Sequence, residues 1–235
     1  MVVTLAKGTN NVKVIPSNPE SKIAQLLKIE KPAGTDRKEE ESLLLRINLP
    51  SGREREVKVR WIDTPGEAWS KTEWRESQPD VYKDLLRSLG QSQAVLLLLP
   101  PYRYQTRSQD LDNQDDTAEF LDPDTWKAEI SERLALLREH CPRVQHILIS
   151  IHKADLFYNL DDEENRWQYD PDRSFRWAEH DRHIRETYFF LAEDIIRDHN
   201  SHPPYLSPKF FVTTIHRPTL LELPWIYLGA YLANA

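Results

Sequence analysis

The chain has 235 residues, 39% hydrophobic and 29% charged, a composition that predicts a single folded domain over 1–235 rather than a disordered chain. Its net charge of −7 argues against nucleic acid or an anionic membrane surface as the main partner, and no apolar run approaches a membrane span. Cys141 is the only cysteine, which rules out an intrachain disulfide and favours a cytoplasmic location.

The first elements predicted in chain order are a short strand at 12–15 and a helix that starts near Ser17. Alternating apolar residues then predict strands at 43–49 and 57–62, and the Pro50-Ser51-Gly52 turn between them makes the pair an antiparallel hairpin.

Buried strands and amphipathic helices alternate in the rest of the chain. Helices are predicted at 80–89, 125–140, 175–198 and 220–233, and continuous apolar runs predict strands at 94–99, 146–151 and 210–215. An acidic insertion at 105–124 and a charged insertion at 157–173 interrupt this pattern. The order predicts an α/β fold with a doubly wound, mostly parallel sheet and one antiparallel edge hairpin.

Ligands of such sheets bind at the C-terminal ends of the strands, so the polar residues at those ends are candidate site residues. The strand at 57–62 ends in Asp63, followed by Thr64-Pro65-Gly66-Glu67. A carboxylate at a strand end can hold Mg²⁺, and a glycine amide nearby can approach a phosphate because no Cβ blocks it. The alternative is a strand that simply leaves the sheet through a Pro-Gly turn.

Two further strand ends carry polar residues. His152-Lys153-Ala154-Asp155 follows the strand at 146–151, and Thr213-Thr214 closes the strand at 210–215. Taken alone, Lys153 and Asp155 could be ordinary loop charges.

In combination, these motifs resemble those of P-loop GTPases, and Asp-x-Pro-Gly-Glu is similar to a set of bacterial GTPase-like domains. The resemblance implies that Asp63 binds Mg²⁺ of a GTP or GDP complex and that Gly66 contacts the γ-phosphate. Glu67 stands where Ras-like GTPases use a glutamine to orient the attacking water. Thr35, before the hairpin, has the position of the switch threonine that reaches Mg²⁺ and the γ-phosphate.

The same resemblance implies that Asp155 accepts hydrogen bonds from guanine N1–H and the 2-amino group, while the stem of Lys153 covers the base. Backbone atoms at Thr213 and Thr214 would contact the guanine. His152 departs from the pattern, because the family has an asparagine there that ties this loop to the phosphate loop.

The phosphate loop itself, Gly-x-x-x-x-Gly-Lys-Ser/Thr, does not occur in the sequence. In the family, the strand that feeds it lies between the strands at 57–62 and 94–99. Three explanations stay open: a protein that is longer at its N-terminus, a truncated relic, or a degenerate domain in which Val2–Leu5 fills the central strand position.

Two classes of function follow. The chain is either a guanine-nucleotide switch or GTPase, or a nucleotide-free pseudo-GTPase that acts as a protein interaction module. Protein partners are expected in both.

Two remaining features are interpreted as structural. His180 and His183 lie at helical spacing and could hold Zn²⁺, but no third ligand is evident, so a solvated helix face is favoured. Cys141 shows no sequence sign of an activated thiol.

Overall fold

The computed structural model describes residues 9–16, 39–63, 69, 72–102, 120–156, 158, 160–204 and 206–232. Three predicted site residues, Thr35, Gly66 and Glu67, lie outside these ranges, as does most of the acidic insertion at 105–124.

Strands and helices alternate along the described chain. The strands are β1 Val12–Pro16, β2 Glu39–Leu49, β3 Arg53–Asp63, β4 Ala94–Leu99, β5 His146–His152 and β6 Lys209–Thr213. The helices are α1 Thr72–Ser77, α2 Pro79–Gly90, α3 Pro123–His140, α4 Asp161–Arg166, α5 Trp177–Tyr188, α6 Glu193–Asn200 and α7 Pro218–Tyr231.

The first sheet has the order β1-β2-β3 and is antiparallel throughout. A short 3₁₀ turn, Pro50–Gly52, joins β2 to β3, and Gly52 has a φ of +68°, which glycine adopts without steric cost. From Leu43 onward every second residue of β2 is buried, as the alternating sequence predicts: Leu43, Leu45, Ile47 and Leu49.

The second sheet has the order β4-β5-β6 and is parallel. Its central strand β5 is buried from Ile147 to Ile151 because neighbouring elements cover both of its faces. Helices α5 and α7 both pack against β6, and α7 also contacts β2, so this apolar helix links the two sheets.

The division into two sheets differs from the single sheet that the sequence predicts. The α/β class and the antiparallel hairpin are confirmed, but within the described residues no backbone hydrogen bonds join β3 to β4. Each of these strands therefore forms the edge of its own sheet there, at the place where the family resemblance expects a central strand.

The single helix predicted over 175–198 is also wrong in detail. It is divided into α5 and α6 by Phe189 and a 3₁₀ turn, Phe190–Ala192. Phe189 is fully buried, with its ring 5.9 Å from that of Trp126 and 4.7 Å from that of Phe210. No proline or glycine is present in this segment to break a helix. The packing of Phe189 therefore accounts for the interruption of what would otherwise be a continuous helix.

The charged segment at 157–173 contains a helix, α4, that the sequence did not predict. The acidic insertion, in turn, ends earlier than predicted, because Asp122 already caps α3 by accepting hydrogen bonds from the amides of Asp124 and Thr125 at 3.1 Å and 3.0 Å. Within the described ranges, no helix combines the length and the apolar character that crossing a bilayer requires.

Candidate functional site

The C-terminal ends of β5 and β6 lie side by side, because the two strands are parallel neighbours with His152 opposite Thr213. The residues that follow them, Lys153–Asp155 and Thr214–His216, therefore meet at one edge of the sheet. This is the edge at which open α/β sheets bind ligands.

Asp155 is the centre of this edge. The Thr214 hydroxyl donates a hydrogen bond to Asp155 Oδ1, and His216 Nε2 lies 3.9 Å from Asp155 Oδ2. Thr214 is itself held in place, since its hydroxyl oxygen accepts a hydrogen bond from the backbone amide of His216 at 3.2 Å. The Asp155 side chain remains 30% exposed, so the carboxylate is both fixed by the chain and open to solvent.

Thr213 has a different role from its neighbour. Its hydroxyl lies 2.9 Å from the Ser150 hydroxyl and 3.1 Å from His152 Nδ1, and both threonines are buried. Burial lowers the pKa of His152 to about 4, so this imidazole is neutral at neutral pH. Thr213, Ser150 and His152 thus form a polar network that joins β5 to β6 beneath the site.

Lys153 has a φ of +61° and is, among the described residues, the one non-glycine with a positive φ. The left-handed region costs a residue with a Cβ about 1 kcal/mol or more, and such strain concentrates at ligand-binding loops. The turn is closed by a hydrogen bond of 3.1 Å from the amide of Leu156 to the carbonyl of Lys153. The Lys153 side chain is exposed.

The remaining predicted site residues are not brought together here by any described contact. Asp63 ends β3, as predicted, but its side chain lies outside the described part of the structure, as do Thr35, Gly66 and Glu67. Among the described residues, no group of three or more His, Cys, Asp or Glu side chains could hold a metal ion. A Mg²⁺ bound mainly by phosphate and water needs only one or two protein ligands.

A second polar cluster, missed in the sequence, is built around Glu163 of α4. Its buried carboxylate accepts hydrogen bonds from Trp167 Nε1 at 2.9 Å and Tyr188 Oη at 2.9 Å, and it lies 2.8 Å from His183 Nε2. Arg166 Nη1 lies 3.1 Å from His183 Nδ1 and 3.3 Å from His183 Nε2, close to both nitrogens of the ring. Glutamate is seldom buried, and the residues of α4 and α5 meet only in the fold, so no local pattern could have indicated the cluster.

The interpretation of His180 and His183 as a solvated helix face is wrong for His180. That imidazole is 2% exposed, with ring centroids of Trp167, Phe175 and Phe211 between 5.1 and 5.8 Å away. Burial lowers its pKa to about 3, so it packs as a neutral ring. Its partner in the motif, His183, turns to Glu163 instead.

No family model matches this sequence, and comparisons with curated proteins and with solved structures likewise find no match.

Proposed function

We propose that the chain is a GTPase-like domain that binds a guanine nucleotide at the C-terminal ends of β5 and β6, with Asp155 as the residue that recognises the base. The observation that carries this proposal is the partly exposed Asp155 carboxylate, which Thr214 of the neighbouring strand end holds in place. A fixed acceptor at this edge is what recognition of a base requires.

The chemistry of the carboxylate suits guanine. An ionised carboxylate offers about four lone-pair positions, so Asp155 can bond Thr214 and still accept from two adjacent donors. Guanine presents such a pair, N1–H and the 2-amino group, whereas adenine does not. Lys153, exposed on its strained turn, is available to cover the base with its alkyl stem.

The phosphate side of the proposal depends on the sequence alone. Asp63 and Thr35 would bind Mg²⁺, Gly66 would contact the γ-phosphate, and Glu67 would orient water. With no phosphate-loop motif in the 235 residues, few amide contacts to the α- and β-phosphates are available, so we expect weak nucleotide binding.

A second candidate function is a nucleotide-free pseudo-GTPase that binds another protein. Two exposed apolar side chains favour it, because Leu156 and Ile215 directly follow Asp155 and Thr214 and are 39% and 44% exposed. Apolar residues left exposed beside a strand end are suited to contact with a protein surface.

Fluorescent GDP and ATP analogues, titrated with and without Mg²⁺, distinguish the two functions. We expect binding that is selective for guanine and that Asp155→Ala abolishes, while the control Asp162→Ala, an exposed carboxylate on α4, leaves it unchanged. Thermal unfolding of each variant establishes that it is folded.

Failure of a cooperatively unfolding chain to bind either analogue would contradict nucleotide recognition and support the interaction module. In that case Leu156→Glu and Ile215→Glu should weaken binding of the protein partner.

A further inference from the structure

A cleft of about 520 Å³ lies between the segment 165–176 and residues Asn10 and Asn11. A neighbouring cavity of about 380 Å³ shares Arg166, Trp167 and Arg176 with it. None of the strand-end residues near Asp155 lines either space. The combined volume is in the range that binds small molecules.

The cleft is basic in a protein whose net charge is −7. Arg166, Arg173 and Arg176 line it, with Asp170 as the one carboxylate among its described lining residues. The neighbouring cavity adds Arg182 and the carboxylates of Glu179 and Glu186. Arg173 Nε lies 3.3 Å from Asp170 Oδ2, and this pair is largely exposed, so the arginine can exchange this partner for a ligand at little cost.

Arg166 is held in position by the Glu163 cluster. Glu163 orients His183, and His183 Nδ1 lies 3.1 Å from Arg166 Nη1. Trp167, next in the chain, is fixed by its own hydrogen bond to Glu163, and the Arg176 guanidinium lies 5.9 Å from the Trp167 ring centroid. The Arg176 guanidinium also donates a hydrogen bond to Glu179 Oε2 at 2.8 Å, so it must exchange this exposed partner for a ligand. Arg166 is held against a rigid support, which reduces the entropy lost on binding an anion.

Tyr169 supplies an observation independent of the charges. It lines the cleft and is 6% exposed, yet its hydroxyl has no hydrogen-bond partner among the described residues. Buried hydroxyls are almost always paired, and this one, itself shielded from solvent, leaves one hydrogen-bonding position open in the wall of the cleft.

We propose that this cleft is a binding site for a phosphorylated small molecule. Guanidinium groups bind phosphate oxygens through paired, charge-assisted hydrogen bonds, and three of them suit a dianion. Asn165, Gln168 and Ser174 also line the cleft and bring neutral polar groups to it. Phe175 is half-buried there and gives the body of the ligand an apolar contact.

Isothermal titration with phenyl phosphate and with inorganic phosphate, at constant ionic strength in chloride, tests this site. We expect phenyl phosphate to bind more tightly than inorganic phosphate. Arg166→Gln and Arg173→Gln should each weaken binding about tenfold, the loss expected for one charge-assisted hydrogen bond. Arg143→Gln, which removes an exposed arginine from the turn before β5, should change it less than about twofold.

Tyr169→Phe separates a ligand contact from a packing role. Because the hydroxyl has no partner among the residues that the structure describes, its removal should not lower the unfolding temperature, but it should weaken phenyl phosphate binding several-fold. Asp155→Asn should leave phenyl phosphate binding unchanged, so failure here is distinguishable from failure at the proposed guanine site.

The site is refuted if phenyl phosphate does not bind at about 10 mM, which means a binding free energy weaker than about 3 kcal/mol. Arg173 lies at the exposed rim, so Arg173→Gln leaves the Glu163 cluster intact. The site is also refuted if Arg173→Gln and Arg143→Gln bind phenyl phosphate with the same affinity.

Discussion

Replacing Glu163 by alanine should destabilise the protein more than the loss of any single exposed charge. The carboxylate accepts from the indole of Trp167 and the phenol of Tyr188, both buried, and lies 2.8 Å from the His183 imidazole, which is partly exposed. Each buried donor left without an acceptor costs about 1–3 kcal/mol, whereas His183 can turn towards water. With the space left by the side chain, we expect a loss of about 3–5 kcal/mol in the free energy of unfolding.

Glu163→Gln should cost less, about 1–2 kcal/mol, because the amide oxygen can replace Oε1 and keep His183 and Tyr188 bonded. The amide nitrogen then faces the Trp167 N–H, and that one pair is lost. Asp162→Asn makes the same chemical change at an exposed position of α4 and should alter stability by less than about 0.5 kcal/mol.

Urea unfolding, monitored by tryptophan fluorescence, measures these differences in the free energy of unfolding. An unchanged m value shows that the folded and unfolded states of the variants stay comparable. For a chain of this size, 3 kcal/mol corresponds to a fall of about 6–12 °C in the unfolding temperature. A loss below about 1 kcal/mol in Glu163→Ala would mean that Trp167 and Tyr188 do not depend on this carboxylate, and the reasoning would be refuted.

Three further predictions concern the core. Burial lowers the pKa of His152 to about 4 and the pKa of His180 to about 3, from the ordinary value of 6.5. The unfolded state therefore binds more protons below pH 6.5, and the free energy of unfolding should fall as the pH drops towards 4. In urea titrations at acid pH, His180→Phe should show a shallower fall. Gly229→Ala would place a Cβ 3.0 Å from Ile47 Cδ1, and we expect a net loss of about 1 kcal/mol, since overpacking outweighs the gain in helix propensity; urea unfolding should show the loss relieved in the double variant with Ile47→Val. Cys141 is buried, with its pKa raised by burial to about 11, so a thiol reagent should label it slowly in the native protein and rapidly in denaturant; rapid native labelling would contradict its packing.

The sequence predicts local elements well where an apolar run has clear limits. The strand at 94–99 coincides with β4, because Pro100 and Pro101 end it, and the strand at 146–151 matches β5 to within one residue. Helix α4 escapes prediction because its six polar and charged residues show no apolar face, and the residue that it buries is Glu163.

Long-range pairing accounts for the other differences. Whether β3 and β4 belong to one sheet depends on what lies between them, which neither strand sequence specifies. At the candidate site, the sequence placed Asp155 and Thr214 at neighbouring strand ends, but not the hydrogen bond that joins them. Nor could it show that Thr213, the adjacent residue, turns instead to Ser150.

Guanine recognition by Asp155 is tested most directly by Asp155→Asn, titrated with fluorescent GDP and XDP analogues. Xanthine carries a carbonyl oxygen where guanine has its 2-amino group, so an asparagine amide can donate to the base where the carboxylate accepted from it. We expect the native chain to prefer GDP and Asp155→Asn to prefer XDP, each by about tenfold or more. Equal binding of both nucleotides by the native chain and Asp155→Asn, or no binding by either folded protein, would contradict a guanine site at the ends of β5 and β6.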